Sequence, residues 1–346
     1  MMALEHEELH VRRGERTGLY VVVAVHSTAL GPALGGARLW RYETPGDAVS
    51  DALRLSAAMT LKAAAAGLDL GGGKCVVCDD GELDAVRRRD LLLDLGDAVE
   101  SLEGRYVTAE DVGTSPEDMV VVAERTAHVA GLPIDRGGCG DPSPLTARGV
   151  EAAIRASLAW RDGDADPAGR RVVVIGVGHV GVDLAARLSR AGAEVLATDV
   201  DPAKREAAEA AGARWVEPGS AAELDCDVLA PCALGGAVDT RNAGRLRAGI
   251  VCGSANNVLA DDSLADDLDQ RGILNAPDFI ANAGGLIGIA AERHGSTPAQ
   301  VSAAVDEIEG VLGGIYERAA AAGTTPLAAA REVAAERLRA PARVAA

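Results

Sequence analysis

Aromatic side chains are nearly missing from this 346-residue chain: they make up 2% of it, with a single phenylalanine, Phe279. Apolar residues still reach 48%, so any core must be built from Ala, Val, Leu and Ile. Lysine is scarcer still. Of 34 basic side chains only Lys62, Lys74 and Lys204 are lysines; the rest are arginine. Positive charge as a whole is in deficit, and the formal net charge is -18. A chain this acidic lacks the basic face that displaces phosphate counterions, which argues against a nucleic-acid binder. No apolar run approaches the ~20 residues needed to span a bilayer. The opening MMALEHEELHVRRGE has no apolar signal core, so the cytoplasm is the expected compartment and no membrane partner is expected. Cysteines number six. Only Cys75 and Cys78 have ligand-like spacing, and they fall in CVVCD, which reads as a buried strand. Half a ligand set is too little, and no metal is expected.

What is present begins with those lysines. Lys62 and Lys74 lie in one glycine-rich stretch, MTLKAAAAGLDLGGGKCVV. Arginine keeps its proton in a protein, whereas a desolvated lysine can lose it. Lys74 and Lys62 therefore read as chemical groups. The competing reading is that composition disfavours lysine and that these two survive at helix ends or in ion pairs. Asp111 ends the strand-like run RYVTAED, and active-site groups gather at the carboxyl ends of parallel strands. A turn or capping role for it is equally open.

The length suggests two domains. TGLYVVVAVH (17–26) reads as a strand. Thr44-Pro45 opens a helical pattern that ends at Gly67, CVVCD is a strand, 84–102 a helix and RYVTA a strand, and Ser115-Pro116 caps another helix. The Gly/Pro-rich stretch 131–144 marks a boundary. A helix near 146–161 follows, then strands RRVVVIG, AEVLATD, DVLAP and IVCGS with helices or loops between, which predicts a parallel sheet. The expected fold is α/β: a substrate-binding and catalytic domain over 1–135, a dinucleotide-binding (Rossmann) domain over 140–300, and a cleft between them. Helices over about 310–346 are expected to pack back on the first domain or to form a subunit contact.

RRVVVIGVGHVGVDLAARL is a strand, a G-x-G-x-x-G turn and a helix, followed by a second strand ending in Asp199. That context turns a weak motif into a dinucleotide fingerprint. Gly176 permits the tight turn, Gly178 lets backbone approach the pyrophosphate beside His179 and Val180, and Gly181 lets helix and strand pack closely. Asp199 is expected to accept from the ribose hydroxyls and, with Asp201, to repel a 2′-phosphate, so NAD is expected over NADP. Lys204 stands near the adenosine or on the surface.

Together these segments resemble the glutamate/leucine/phenylalanine/valine dehydrogenase family, most closely its branched-chain and phenylalanine members. The matching stretches run in order: STALGPALGGARLW (27–40), DALRLSAAMTLKAAAAGLDLGGGKCVV (51–77), YVTAEDVGTSPEDM (106–119), the fingerprint at 171–199, DVLAPCALGGAV (227–238), GSANN (253–257) and APDFIANAGGLI (276–287). The resemblance implies reversible oxidative deamination of an L-amino acid with NAD, giving the 2-oxo acid and ammonia, by a homo-oligomer. It also implies that Lys62 pairs with the substrate carboxylate, Lys74 activates water and Asp111 exchanges protons with the amino group. Gly35 and Gly36 would bring backbone to the carboxylate. Arg38, Ser143, Thr146, Ala233 and Asn256 resemble residues near cofactor or substrate. Leu34 stands where the glutamate-specific branch has a lysine, and with Ala109, Leu286 and Ile289 it forms an aliphatic wall. Leucine, valine or isoleucine is therefore expected over phenylalanine. The sequence departs from the family at Ala63 and at Asp79-Asp80-Gly81, both away from the proton-transfer groups. A non-catalytic NAD-binding regulator and a hydroxy-acid dehydrogenase are the other readings. The first should lack the Lys62, Lys74 and Asp111 set, and the second should carry a histidine base; none of His26, His128, His179 or His294 sits in a comparable motif.

Overall fold

A computed structural model describes residues 5–233 and 235–340. Leu234 of the DVLAPCALGGAV segment and the end of the expected C-terminal helical region, 341–346, lie outside the described residues. The chain divides into two units. The first comprises Met1–Asp141, Ile289–Ser296 and Ala334–Ala346, and the second Pro142–Gly288 and Thr297–Val333.

The first unit holds β1 (Glu8–Arg13), β2 (Tyr20–Ser27), β3 (Ala33–Trp40), α1 (Pro45–Ala65), β4 (Gly71–Cys78), α2 (Ala85–Glu100), β5 (Tyr106–Glu110) and α3 (Pro116–Val122). Its sheet runs β1-β2-β4-β3-β5. β3 is parallel to β4 and β5, whereas β2 is antiparallel to β1 and β4. The sheet is therefore mixed. Thr44 caps α1 with a capping box closed by Asp47, and Ser115 with Asp118 does the same for α3, as Ser/Thr followed by an acidic residue dictates.

Period-2 alternation sorts the strands onto two faces. Val21, Val23, Val25, Ala37, Cys75 and Val77 pack with α2 residues such as Leu91 and Leu95. Val22, Ala24 and Val76 pack with Ala48 and Ala52 of α1. Two stretches escape the expected pattern. ELHVRR forms edge strand β1, which leaves Leu9 and Val11 exposed beside Tyr20. ALGGARLW, with paired glycines and few β-branched residues, becomes the buried strand β3 because β4 and β5 pair with it on both sides.

The second unit opens with α4 (Ser143–Asp162) and continues through β6 (Arg171–Ile175), α5 (His179–Arg190), β7 (Glu194–Thr198), α6 (Arg205–Ala210), β8 (Arg214–Trp215), β9 (Cys226–Pro231), β10 (Ala248–Val251), α7 (Leu264–Gln270), β11 (Leu274–Asn275) and α8 (Asp278–Ala281). The order β11-β10-β9-β6-β7-β8 is parallel throughout. It is the doubly wound dinucleotide-binding order, and it reverses direction at β6. α9 (Gly284–Arg293) begins in this unit and ends in the first. α10 (Pro298–Asp306) and α11 (Ile308–Ala322) belong to the second unit, where Tyr316 and Ser157 share a buried hydroxyl contact of 2.7 Å between α11 and α4. α12 (Pro326–Arg339) passes from the second unit to the first at Ala334. Its Arg337 donates to the carbonyls of Ala63, Ala64 and Leu68 and pairs with Asp69. A guanidinium thus stands at the carbonyl end of α1, where the Ala63 and Ala64 carbonyls also accept from the Leu68 and Gly67 amides.

Candidate active site

The register of β3, β4 and β5 builds the first part of the site. Ala37 pairs with Cys75 on one side and Glu110 on the other. One residue off, Gly36 pairs with Ala109, and Lys74 stands beside Gly36. Alternation then puts Leu34, Gly36, Arg38, Lys74, Ala109 and Asp111 on the same face of the sheet, the one that carries Val76 against α1. A Cβ on Gly36 would lie 2.7 Å from the Cβ of Asp111, and one on Gly35 would lie 1.8 Å from the Gly73 carbonyl oxygen. Both glycines therefore leave room for neighbouring chain. The Gly35 carbonyl also accepts from the buried Tyr106 hydroxyl at 2.5 Å.

Lys74 is 5% exposed, and its Nζ lies 2.8 Å from Asp111 Oδ2. Arg38 Nε donates to the same oxygen at 2.9 Å. Burial pulls the Lys74 ammonium below the ordinary lysine range and the Arg38 charge adds to this; Asp111 and Asp51 oppose without cancelling it. Burial pushes the Asp111 carboxyl up, but Lys74 and Arg38 outweigh it and hold the carboxyl low. The pair is thus an ionised carboxylate beside an amine that gives up its proton more readily than a solvated lysine does. Such a group can act as a base. Lys62, partly buried, stands in the last turn of α1, the helix covering the same face.

Arg38, expected near cofactor or substrate, extends one arm to Asp111 and another to Asp51, Nη1 to Oδ2 at 3.0 Å. Asp51 and Tyr42, whose hydroxyl donates to Asp51 at 2.7 Å, were not singled out by any motif. They converge only through the fold. Glu110 was also missed. It follows Ala109 in β5, and burial pushes its carboxyl up to about 7, helped by Asp141, Glu117, Asp111 and Asp118. A carboxyl raised in the folded state favours folding below its unfolded value and loses that advantage as pH rises through the folded one. Glu110→Gln is therefore expected to raise the melting temperature above pH 7 and to leave it nearly unchanged below the ordinary glutamate value of 4.5. Melting curves across that window check this; a gap independent of pH would contradict it.

In the second unit, the fingerprint turn has three different glycine environments. Gly176 has φ +100°, and a Cβ there would meet Ala233 at 2.7 Å. Gly181 would meet the Gly176 carbonyl oxygen at 1.9 Å. Gly178 caps α5, and nothing lies within 4 Å of the position its Cβ would take. The open ground is where backbone can be approached. His179 and Val180 form the first turn of α5, where helical N–H groups have no partner within the helix. Asp199 Oδ2 accepts from the Val177 amide at 2.7 Å and Oδ1 from Asp201 at 3.0 Å. It therefore stands against the turn, with acceptor lone pairs to spare. A dinucleotide fits this donor set: N–H groups at a helix N-terminus for pyrophosphate and a carboxylate for ribose.

The other expected residues are placed as follows. Ser143 begins α4, and Thr146 in its first turn donates to the Pro142 carbonyl at 3.0 Å. Asn256 is exposed and accepts from Asn282 at 2.9 Å. Lys204 ends a short 3₁₀ turn after Asp201 and is partly exposed. Leu286 and Ile289 are buried on α9. Leu34 and Ala109 are each 1% exposed.

The sequence matches two family models, the Glu/Leu/Phe/Val dehydrogenase dimerisation domain over residues 6–128 and the Glutamate/Leucine/Phenylalanine/Valine dehydrogenase domain over 198–344. It is 39% identical to leucine dehydrogenase of Thermoactinomyces intermedius over 98% of this chain and 92% of the relative. Identity to valine dehydrogenase of Streptomyces virginiae is 43% over 96% and 94%. The crystal structure of L-tryptophan dehydrogenase from Nostoc punctiforme superposes with a TM-score of 0.83, at 35% identity over 97% of this chain and 96% of that one. On these matches the chain belongs to the Glutamate/Leucine/Phenylalanine/Valine dehydrogenase family and is an amino acid dehydrogenase.

Proposed function

We propose that the protein catalyses reversible, NAD-dependent oxidative deamination of an aliphatic L-amino acid, leucine, valine or isoleucine, to the 2-oxo acid and ammonia, as a cytoplasmic homo-oligomer. One observation carries the chemistry: a nearly dry lysine nitrogen 2.8 Å from an ionised aspartate. Bound NAD supplies the acceptor for the hydride of the substrate α-carbon. Gly178, His179 and Val180 would hold its pyrophosphate and Asp199 its ribose, with Lys204, Ser143, Thr146, Ala233 and Asn256 as further candidates around it.

The chain's own residues manage protons and orientation. Lys62 holds the substrate α-carboxylate. Lys74, as the neutral amine, takes a proton from the water that adds to the imine carbon. Asp111, ionised at rest, first takes a proton from the substrate ammonium and later returns it to the departing nitrogen, so that ammonia leaves as the hydroxyl proton passes to solvent and the carbonyl forms. The base must be neutral to work, so oxidative turnover rises with pH through the titration of Lys74.

Substrate choice rests on Leu34, Ala109, Leu286 and Ile289. All are aliphatic and buried, and a side-chain carboxylate of the substrate stranded against them would be costly. The leucine and valine relatives favour aliphatic substrates over phenylalanine. One methylene discriminates by only ~1–3 kcal/mol, so related aliphatics should share turnover. The homo-oligomer rests on edge strand β1, where Leu9 and Val11 stay exposed beside Tyr20, and on the match to a dimerisation domain. No helix among the described residues is long and apolar enough to cross a membrane.

The test is ammonia-dependent NADH oxidation with a panel of 2-oxo acids. Turnover should be highest with the branched-chain members and weak with 2-oxoglutarate. Preference for 2-oxoglutarate would overturn the substrate assignment, and no turnover with any oxo acid would overturn the enzymatic one.

A further inference from the structure

Asp111 has two oxygens, and the protein treats them differently. Lys74 Nζ at 2.8 Å and Arg38 Nε at 2.9 Å both meet Oδ2. Both contacts fall on one oxygen, and the side chain keeps 23% exposure. A carboxylate free to rotate would exchange its oxygens. Here the rotation is opposed from behind. Arg38 is pinned by its second arm to Asp51 Oδ2 at 3.0 Å. Asp51 in turn accepts from the Tyr42 hydroxyl at 2.7 Å and pairs through Oδ1 with Arg54 at 2.6 Å. The side chains of Arg38 and Asp51 are only 22% and 15% exposed, so their attraction is less screened than that of a surface pair.

We propose that Arg38 and Asp51 are positioning residues for Asp111, holding Oδ2 away from the substrate so that Oδ1 is the oxygen that exchanges a proton with the reacting nitrogen. This rests on the amino acid dehydrogenase reading above. Arg38 spans from β3 to α1, and neither it nor Asp51 needs to touch substrate. The planar fork of arginine suits this, because it serves two carboxylates from one rigid group.

The same chain sets the electrostatics of the base. The groups surrounding Lys74 are Asp111 after β5, Arg38 on β3, Asp51 on α1 and Cys75 next in β4. Lys62 also lies on α1, Glu110 precedes Asp111 in the chain, and Tyr42 and Arg54 bond to Asp51. Removing the Arg38 charge takes a like charge from Lys74, which then holds its proton to higher pH. Removing the Asp51 charge takes away an anion and does the reverse.

The experiment is steady-state oxidation of leucine with NAD by the full chain, from neutral to strongly alkaline pH, for Arg38→Gln, Arg38→Lys and Asp51→Asn. Arg38→Gln should lose about 100-fold in kcat near neutral pH, with the deficit shrinking as pH rises because the acid limb moves up by about one unit. Asp51→Asn should lose about tenfold on the plateau and shift that limb the opposite way. Arg38→Lys keeps the charge and loses the fork, so its plateau should fall with the limb in place. Leucine KM should stay within about threefold throughout, since ground-state binding is untouched. Equal losses at every pH in all three variants, limbs moving in the same direction, or a raised KM with an unchanged plateau would each overturn the proposal. Circular dichroism and melting identify a variant that misfolds; Asp51→Asn alone then decides through the direction of its limb. Absence of turnover with leucine, valine and isoleucine alike in the unsubstituted protein would overturn the functional reading and this proposal together.

Discussion

Lys74→Ala is expected to leave no measurable oxidation of leucine. General base catalysis is worth about 10²–10⁴-fold, and here the same nitrogen also neutralises Asp111 across 2.8 Å. With the amine gone, Asp111 keeps Arg38 as its partner, so the carboxylate is not left as an unpaired buried charge, and the fold should persist. Lys74→Arg sharpens the point. It restores a cation on β4, but a guanidinium cannot release its proton at working pH. It should be as inactive as the alanine variant, although its charge is retained. The measurement is initial rate with leucine and NAD, alongside the melting temperature. A near-normal rate in either variant removes the role assigned to this nitrogen.

Gly178→Ala should divide cofactor binding from folding. Gly178 has φ -80° and ψ -166°, extended backbone that alanine adopts without strain. Its added methyl would meet nothing of the protein within 4 Å. The melting temperature should therefore hold, whereas the KM for NAD should rise by about 100-fold because the methyl stands where pyrophosphate must approach the helix N-terminus. Leucine KM should change little. Gly181→Ala is the contrast. Its methyl would press on the Gly176 carbonyl oxygen, so it should destabilise the protein by about 1–3 kcal/mol. Unchanged NAD affinity in a well-folded Gly178→Ala variant would place the dinucleotide elsewhere.

How much of this is legible in the sequence depends on the range over which each signal acts. The glycine turn at 176–181 is local: one strand, one turn and one helix carry its whole meaning, so spacing in the sequence fixes it. The caps at Thr44 and Ser115 are local for the same reason. Strand β3 is different. Its ALGGARLW has weak strand propensity, and it is a strand because β4 and β5 hydrogen-bond it on both sides. The mixed direction of the first sheet is equally nonlocal. Lys62 and Lys74 stand out through the rarity of lysine, Asp111 through its place at the end of a strand, and all three through the family pattern. Asp51 and Tyr42 are an ordinary acid and an ordinary tyrosine until register places Arg38 between Asp51 and Asp111. Glu110 gave no sign at all, since its raised carboxyl comes from burial and from acids at 117, 118 and 141.

The discontinuity of the first unit has a consequence for biosynthesis. A ribosome delivers the β1–β5 sheet early, but the guanidinium of Arg337, which covers the carbonyl end of α1, emerges only with the final helix. The second unit has received its last residue, Val333, before that. Domains ordinarily mature in order of synthesis; here the N-terminal one must wait longest, and a truncated transcript or a stalled chain lacking its final turn yields a complete nucleotide-binding half beside an unfinished partner.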